Sequence, residues 1–117
     1  LVRLSRIAAQ DKDYFWTETE RQLGELRLLH DTAGNPFPEG TVVLQRQGLA
    51  DCHGAIRHRV IMKAFEEIGL TRDITAERLK AADSIIGKKQ REKSVEFPHG
   101  YRLTVARGRV TLHKSGE

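Results

Sequence analysis

The sequence predicts an α+β domain on three observations: amphipathic helical spacing up to Gly87, strict apolar/polar alternation after it, and a turn rich in proline and glycine around Asn35. Read in order, these give a long N-terminal helix, one short strand, a helical pair and a three-stranded antiparallel meander. At 117 residues the chain fits one modest domain, because single domains commonly run to about 100–200 residues. We read residues 1–30 as a linker helix and 31–117 as the α+β domain proper. No internal repeat or low-complexity tract interrupts this order.

From Leu1 to about Leu29, the apolar residues Leu4, Ile7, Ala8, Phe15, Leu23 and Leu26 follow one helical stripe, with Arg6, Lys12, Glu18 and Arg21 elsewhere. One long helix, or two with a break near Asp11, fits this spacing. Tyr14, Phe15 and Trp16 are consecutive, so they point around the helix, and at least one must face another surface or solvent. Asp31 to Gly40 holds two prolines and turn-forming residues that forbid a continuing helix. Thr41-Val42-Val43-Leu44 is a β-branched run that predicts the short strand.

The helical pair follows. Ile56, Val60, Ile61, Ala64, Phe65 and Ile68 form an apolar stripe over about Asp51–Ile68, with Gly69 placed as a left-handed cap. Thr75 caps a helix from Ala76 to about Ile86, whose inner face is Leu79, Ala82, Ile85 and Ile86, and Gly87 closes it. Beyond it, Val95 and Phe97, then Tyr101, Leu103 and Val105, then Val110 and Leu112 occupy alternate positions. Turns at Pro98-His99-Gly100 and Arg107-Gly108 fold these runs into the meander.

The formal charge is +4, and it is unevenly placed. Residues 1–49 carry six basic and seven acidic side chains, residues 50–84 six of each, and residues 85–117 eight basic against three acidic, a local excess of +5. Such an excess suits a polyanion, because each phosphate neutralised by Lys or Arg releases condensed counterions. On the strong helix, Arg59 and Lys63 are four apart and share a face, while Arg57 lies on another. The run Lys88-Lys89-Gln90-Arg91-Glu92-Lys93, the strand residue Arg102 and the turn residue Arg107 complete the basic set. Ordinary solvated surface charge has the same composition, and both readings stand at this point.

No catalytic constellation emerges. Cys52, His53 and His58 lack the paired spacing of a zinc site, and Cys52 and His53, adjacent on a helix, would point about 100° apart. Gly34, Gly40 and Gly48 follow no phosphate-binding pattern. The lone Cys52 agrees with a reducing cytosol, and no apolar run is long enough for a membrane span, so a cytoplasmic protein is expected. Leu1, which is not Met and falls within a helical pattern, leads us to expect a piece of a longer protein.

Three local patterns, in their order and spacing, resemble the region that follows the ATP-pyrophosphatase domain in tRNA(Ile)-lysidine synthetases. The first is Leu4-Ser5-Arg6-Ile7-Ala8 leading into Asp11-Lys12-Asp13-Tyr14. Next come Leu49 and then Ala55-Ile56-Arg57-His58-Arg59-Val60-Ile61, similar to the family's arginine-rich helix. Last is Val95-Glu96-Phe97-Pro98-His99-Gly100-Tyr101-Arg102-Leu103, like the family's strand, turn and basic strand. His53-Gly54 stands where the family commonly opens the helix with proline, and His99 where it often has glycine.

The resemblance implies a substrate-recognition domain in RNA modification. The parent enzyme, an ATP-dependent carbon–nitrogen ligase, adenylates the wobble cytidine of CAU-anticodon tRNA(Ile), and lysine displaces AMP to form lysidine. The family's Ser-Gly-Gly-x-Asp-Ser motif is absent from this chain. ATP with magnesium, and lysine, would therefore belong to a catalytic domain outside it, and the chain alone would hold no cofactor and be inactive. Implied partners are tRNA(Ile) with a CAU anticodon and that catalytic domain. From charge and location, Arg57, Arg59, Lys63, Lys88, Lys89, Arg91, Lys93, Arg102 and Arg107 are expected to contact the RNA backbone. The alternative is a protein-interaction or structural module with a solvated basic tail. A homodimer paired through first-helix stripes is compatible with the same pattern.

Overall fold

Period-two alternation builds the sheet on which the other elements rest. The computed structural model describes residues 16–87 and 92–114. In chain order these form helical residues 16–26 (α1), β1 (Arg27–Leu28), β2 (Thr41–Gln45), α2 (Arg46–Asp51), α3 (Gly54–Glu67), α4 (Ala76–Ile86), β3 (Lys93–Glu96), β4 (Tyr101–Ala106) and β5 (Arg109–Lys114). The fold class is α+β, as the sequence predicts. The part of the N-terminal helix expected over residues 1–15 lies outside the described residues, as do Lys88, Lys89 and Arg91.

The meander β3–β4–β5 forms, and it is part of a larger sheet. Strand β2 pairs with β5 and β1 pairs with β2, giving a five-stranded antiparallel sheet in the order β1-β2-β5-β4-β3. The register puts Val42, Leu112, Leu103 and Val95 in one cross-strand row. All four are buried on the face that carries the helices. The row Val43, Thr111, Thr104 and Ser94 lies on the opposite face. Arg107 and Gly108 make the two-residue turn between β4 and β5, which sets this register.

Two elements differ from the sequence reading. The first helix stops at Leu26, and Arg27 and Leu28 pair with Leu44 and Val43 as a short edge strand. Sheet pairing, a tertiary contact, overrides the continuing helical pattern there. The second difference is the short helix α2, Arg46–Asp51, which holds Gly48 and precedes the helix expected from about Asp51. A Cβ at residue 48 would lie 2.2 Å from Leu26 Cδ2 and 2.9 Å from Gln45 Oε1, so a larger residue there would have to displace both side chains.

The helical pair follows the sequence closely. Thr75 caps α4 by accepting from the Arg78 amide, and Leu79, Ala82, Ile85 and Ile86 are its buried residues. Helix α3 starts at Gly54 rather than Asp51, with the His53 ring as its N-cap, accepting from the Ala55 amide at 3.2 Å. At the other end, the Leu70 amide donates to Phe65 O and the Gly69 amide to Glu66 O, the paired bonds of a left-handed helix stop. Gly69 has φ +108°, as its capping position predicts.

This stop is tied to the sheet. Tyr101 of β4 donates its hydroxyl to Ile68 O at 2.8 Å, and its ring meets Phe65 edge-on at 6.0 Å. Phe97 lies 4.6 Å from Phe65, centroid to centroid. The next loop is fixed by a second link, between two residues in the left-handed region. His99 (φ 62°) and Asp73 (φ 72°) are joined by a 2.6 Å hydrogen bond, so the β3–β4 turn holds the α3–α4 loop.

Gly69→Ala tests this junction. The substitution forces a side chain into the left-handed region, with its Cβ 2.6 Å from the Tyr101 hydroxyl. We expect a loss of about 1–3 kcal/mol in urea-induced unfolding. A loss too small to resolve would show that the helix stop does not need glycine.

Candidate nucleic-acid interface

Helix α3 turns Val60, Ile61, Ala64 and Phe65 into the core, which leaves Arg59, Met62, Lys63 and Glu66 on its outer side. An open groove of about 670 Å³ runs along this side, lined also by Trp16 of α1 and by Arg72, Asp73 and Ile74 of the α3–α4 loop. Leu70 and Leu79 contribute apolar walls. Trp16 is 52% exposed and Met62 43%. Lys63 Nζ stands 4.6 Å from the Trp16 ring centroid and 3.3 Å from Glu66 Oε1. Arg59 donates to Ala55 O one turn back. On α1, Arg21 bridges Glu18 and Glu25, and its hydrogen bonds hold the Glu18 carboxyl below the usual carboxylate range.

Arg57 does not reach this groove with its charge. Its side chain is 17% exposed and faces inward: Nε donates to Asp83 Oδ1 at 2.8 Å, and Nη1 to Ala50 O and Cys52 O at 3.1 and 2.9 Å. The second Asp83 oxygen meets His58 Nε2 at 2.6 Å. Arg57 thus joins the end of α2, helix α3 and helix α4, and its guanidinium is engaged there rather than in the groove. Cys52, beside it, bonds weakly to Gly48 O, and burial pushes its thiol pKa up. With His53 Nδ1 engaged at the helix cap, the two make no nucleophile and base pair.

The other expected contacts lie on or beside the sheet. Arg102 is on its open face and donates to Glu96 across the strand pair at 2.8 Å. Arg107 is exposed in the turn after β4, and Lys93 is exposed on edge strand β3. The structure therefore divides the expected set between two layers: Arg59 and Lys63 on the outer side of the helices, Arg102 on the far side of the sheet. Lys88, Lys89 and Arg91 fall outside the described residues.

Sequence reasoning missed several neighbours. Arg72 and Trp16 join the groove from distant parts of the chain, and no local pattern marks either as a partner of Lys63. Arg109 and His113 share the open sheet face with Arg102 and Thr104. Their alternation with Val110 and Leu112 was available as a signal. Arg109 lies 5.3 Å from the Phe37 ring, beside a hollow that also contains Val43, Thr111 and Lys114. Among the described residues, no three His, Cys, Asp or Glu side chains converge to hold a metal ion, and no helix is long and apolar enough to cross a membrane.

Arg57→Met separates fold from binding. It leaves two carbonyls and one Asp83 oxygen without their charged donor, so we expect a loss of about 2 kcal/mol in chemical denaturation. Below the unfolding transition, the salt dependence of RNA binding should be unchanged. A stable variant with a shallower salt dependence would instead make Arg57 a phosphate ligand.

Comparison with protein-family models, curated proteins and solved structures finds no match to this chain.

Proposed function

We propose that this chain is the tRNA-recognition part of an ATP-dependent tRNA(Ile)-lysidine synthetase. In this reading it works in the cytoplasm and holds tRNA(Ile) with a CAU anticodon. A separate catalytic domain, supplied with ATP, magnesium and lysine, converts the wobble cytidine to lysidine. The ordered patterns around Leu4, Arg57 and Phe97 supply the resemblance to that family.

The observation that carries RNA binding is the groove. Arg59, Lys63 and Arg72 line it together with a half-exposed indole. An aromatic surface for a base, with a few cationic side chains beside it for phosphate, is what sequence-tolerant binding of unpaired RNA uses. Positioning is the role that follows. Contacts to phosphate fix where an RNA lies without reading its sequence, which leaves the choice of base to the catalytic domain.

The test is binding of unmodified CAU-anticodon tRNA(Ile), and separately of methionine tRNA, at low and moderate salt. We expect binding that weakens steeply as salt rises. The double variant Arg59→Ala/Lys63→Ala should lower the log–log slope by about 1–2, since each phosphate contact contributes about 0.7–0.9. No binding at low salt, or binding indifferent to salt, would defeat the proposal and favour a protein-docking module.

A further inference from the structure

The groove has the dimensions of a ligand site. Its volume of about 670 Å³ falls within the roughly 300–1,000 Å³ typical of small-molecule pockets. A stable protein interface needs about 800 Å² on each partner, a broader surface than this hollow. Its chemistry is mixed: Trp16 and Met62 are exposed, Leu70 and Ile74 line the wall, and Arg59, Lys63 and Arg72 are among the lining residues. Charge alone is weak there, because Arg59, Lys63 and Arg72 face Glu66 and Asp73, a net of +1. Asp73 is also engaged by His99, and Glu66 by Lys63. A backbone track would need more cations than that. An aromatic surface with apolar walls and a few cations suits a flat, π-rich group carrying one phosphate.

We infer that the groove between α1, α3 and the α3–α4 loop binds one unpaired nucleobase, stacked on Trp16, with its phosphate held by Arg59 or Arg72. This rests on the RNA-binding reading and adds which part of an RNA the site takes: a splayed, single-stranded nucleotide rather than a duplex. Paired bases inside an A-form helix are stacked on both sides and present no free face to an indole. Lys63 Nζ, 4.6 Å from the ring centroid, covers one indole face, so a base that stacks on that face takes the place of the ammonium, which then lies beside the nucleotide's phosphate.

Trp16 is the only tryptophan in the chain, so its fluorescence reports on this site alone. The full chain is titrated with unmodified CAU-anticodon tRNA(Ile), with a short single-stranded RNA and with a blunt RNA duplex, while anisotropy of end-labelled RNA reports binding independently. We expect quenching of Trp16 by the tRNA and the single strand, and none by the duplex. Trp16→Ala should weaken single-strand binding about 5- to 150-fold, the range for losing one stacked base, while Trp16→Phe keeps a stacking ring and stays near the parent. Circular dichroism of both variants confirms the fold. Binding of tRNA with unchanged emission and an indifferent Trp16→Ala variant would overturn this inference and leave the tRNA reading standing. Equal quenching by duplex would also overturn it. Quenching by the single strand without tRNA binding would keep the base site and remove the tRNA reading.

Discussion

Phe65 is the point at which the helical layer is fastened to the sheet. Its ring has no exposed surface, lies 4.6 Å from Phe97 and meets Tyr101 edge-on at 6.0 Å. Burying a phenylalanine is worth about 1.5–3 kcal/mol, and each aromatic pair adds about 0.5–1.5 kcal/mol beyond its area. Because Tyr101 also bonds to Ile68 O, the same residue that packs on Phe65 closes the helix that carries it. This fixes the rotation of α3 about its own axis. With Ile61, Ala64 and Phe65 turned toward the sheet, Arg59, Met62 and Lys63 have to face away, and the groove is a consequence of that rotation.

Two arginines show why counting charges misjudges this surface. Arg57 is surrounded by Asp83 and two backbone carbonyls, and Arg46 donates to Ile85 O, Ile86 O and Ala106 O. Both guanidinium groups satisfy carbonyls at the ends of helices, where the backbone lacks partners of its own and the dipole favours a cation. In the sequence they look like any other arginine. Their planar fork of donors suits this inward use.

What could be read from the sequence was local. Helix α4 follows from Thr75 at the cap, the stripe Leu79, Ala82, Ile85 and Ile86, and Gly87 at the end, all signals within one segment. The meander follows from alternation and from the two-residue turn at Arg107-Gly108. What escaped depended on contacts between distant segments. Arg27 and Leu28 continue a helical pattern but pair with β2, and α2 forms with Gly48 inside it, where Leu26 comes close. The site divides the same way. Arg59 and Lys63 share a face by their four-residue spacing, whereas folding alone brings Trp16 to Lys63 and Arg72 to the groove.

The separation of basic residues into two layers decides what the net charge can mean. The core lies between Arg59 and Lys63 on one side and Arg102, Arg109 and His113 on the other. A helix with its side chains is about 10–12 Å thick, and screening at physiological ionic strength acts over about 8 Å. The two faces therefore act as separate fields, and the total of +4 describes neither. On the open sheet face, Arg102 is compensated by Glu96, while Arg109 lies against Phe37. That face can add a general attraction for polyanions, sensitive to salt. In the groove the local balance is +1, too small for charge to dominate, and Trp16, Met62 and their apolar neighbours set the character of its surface.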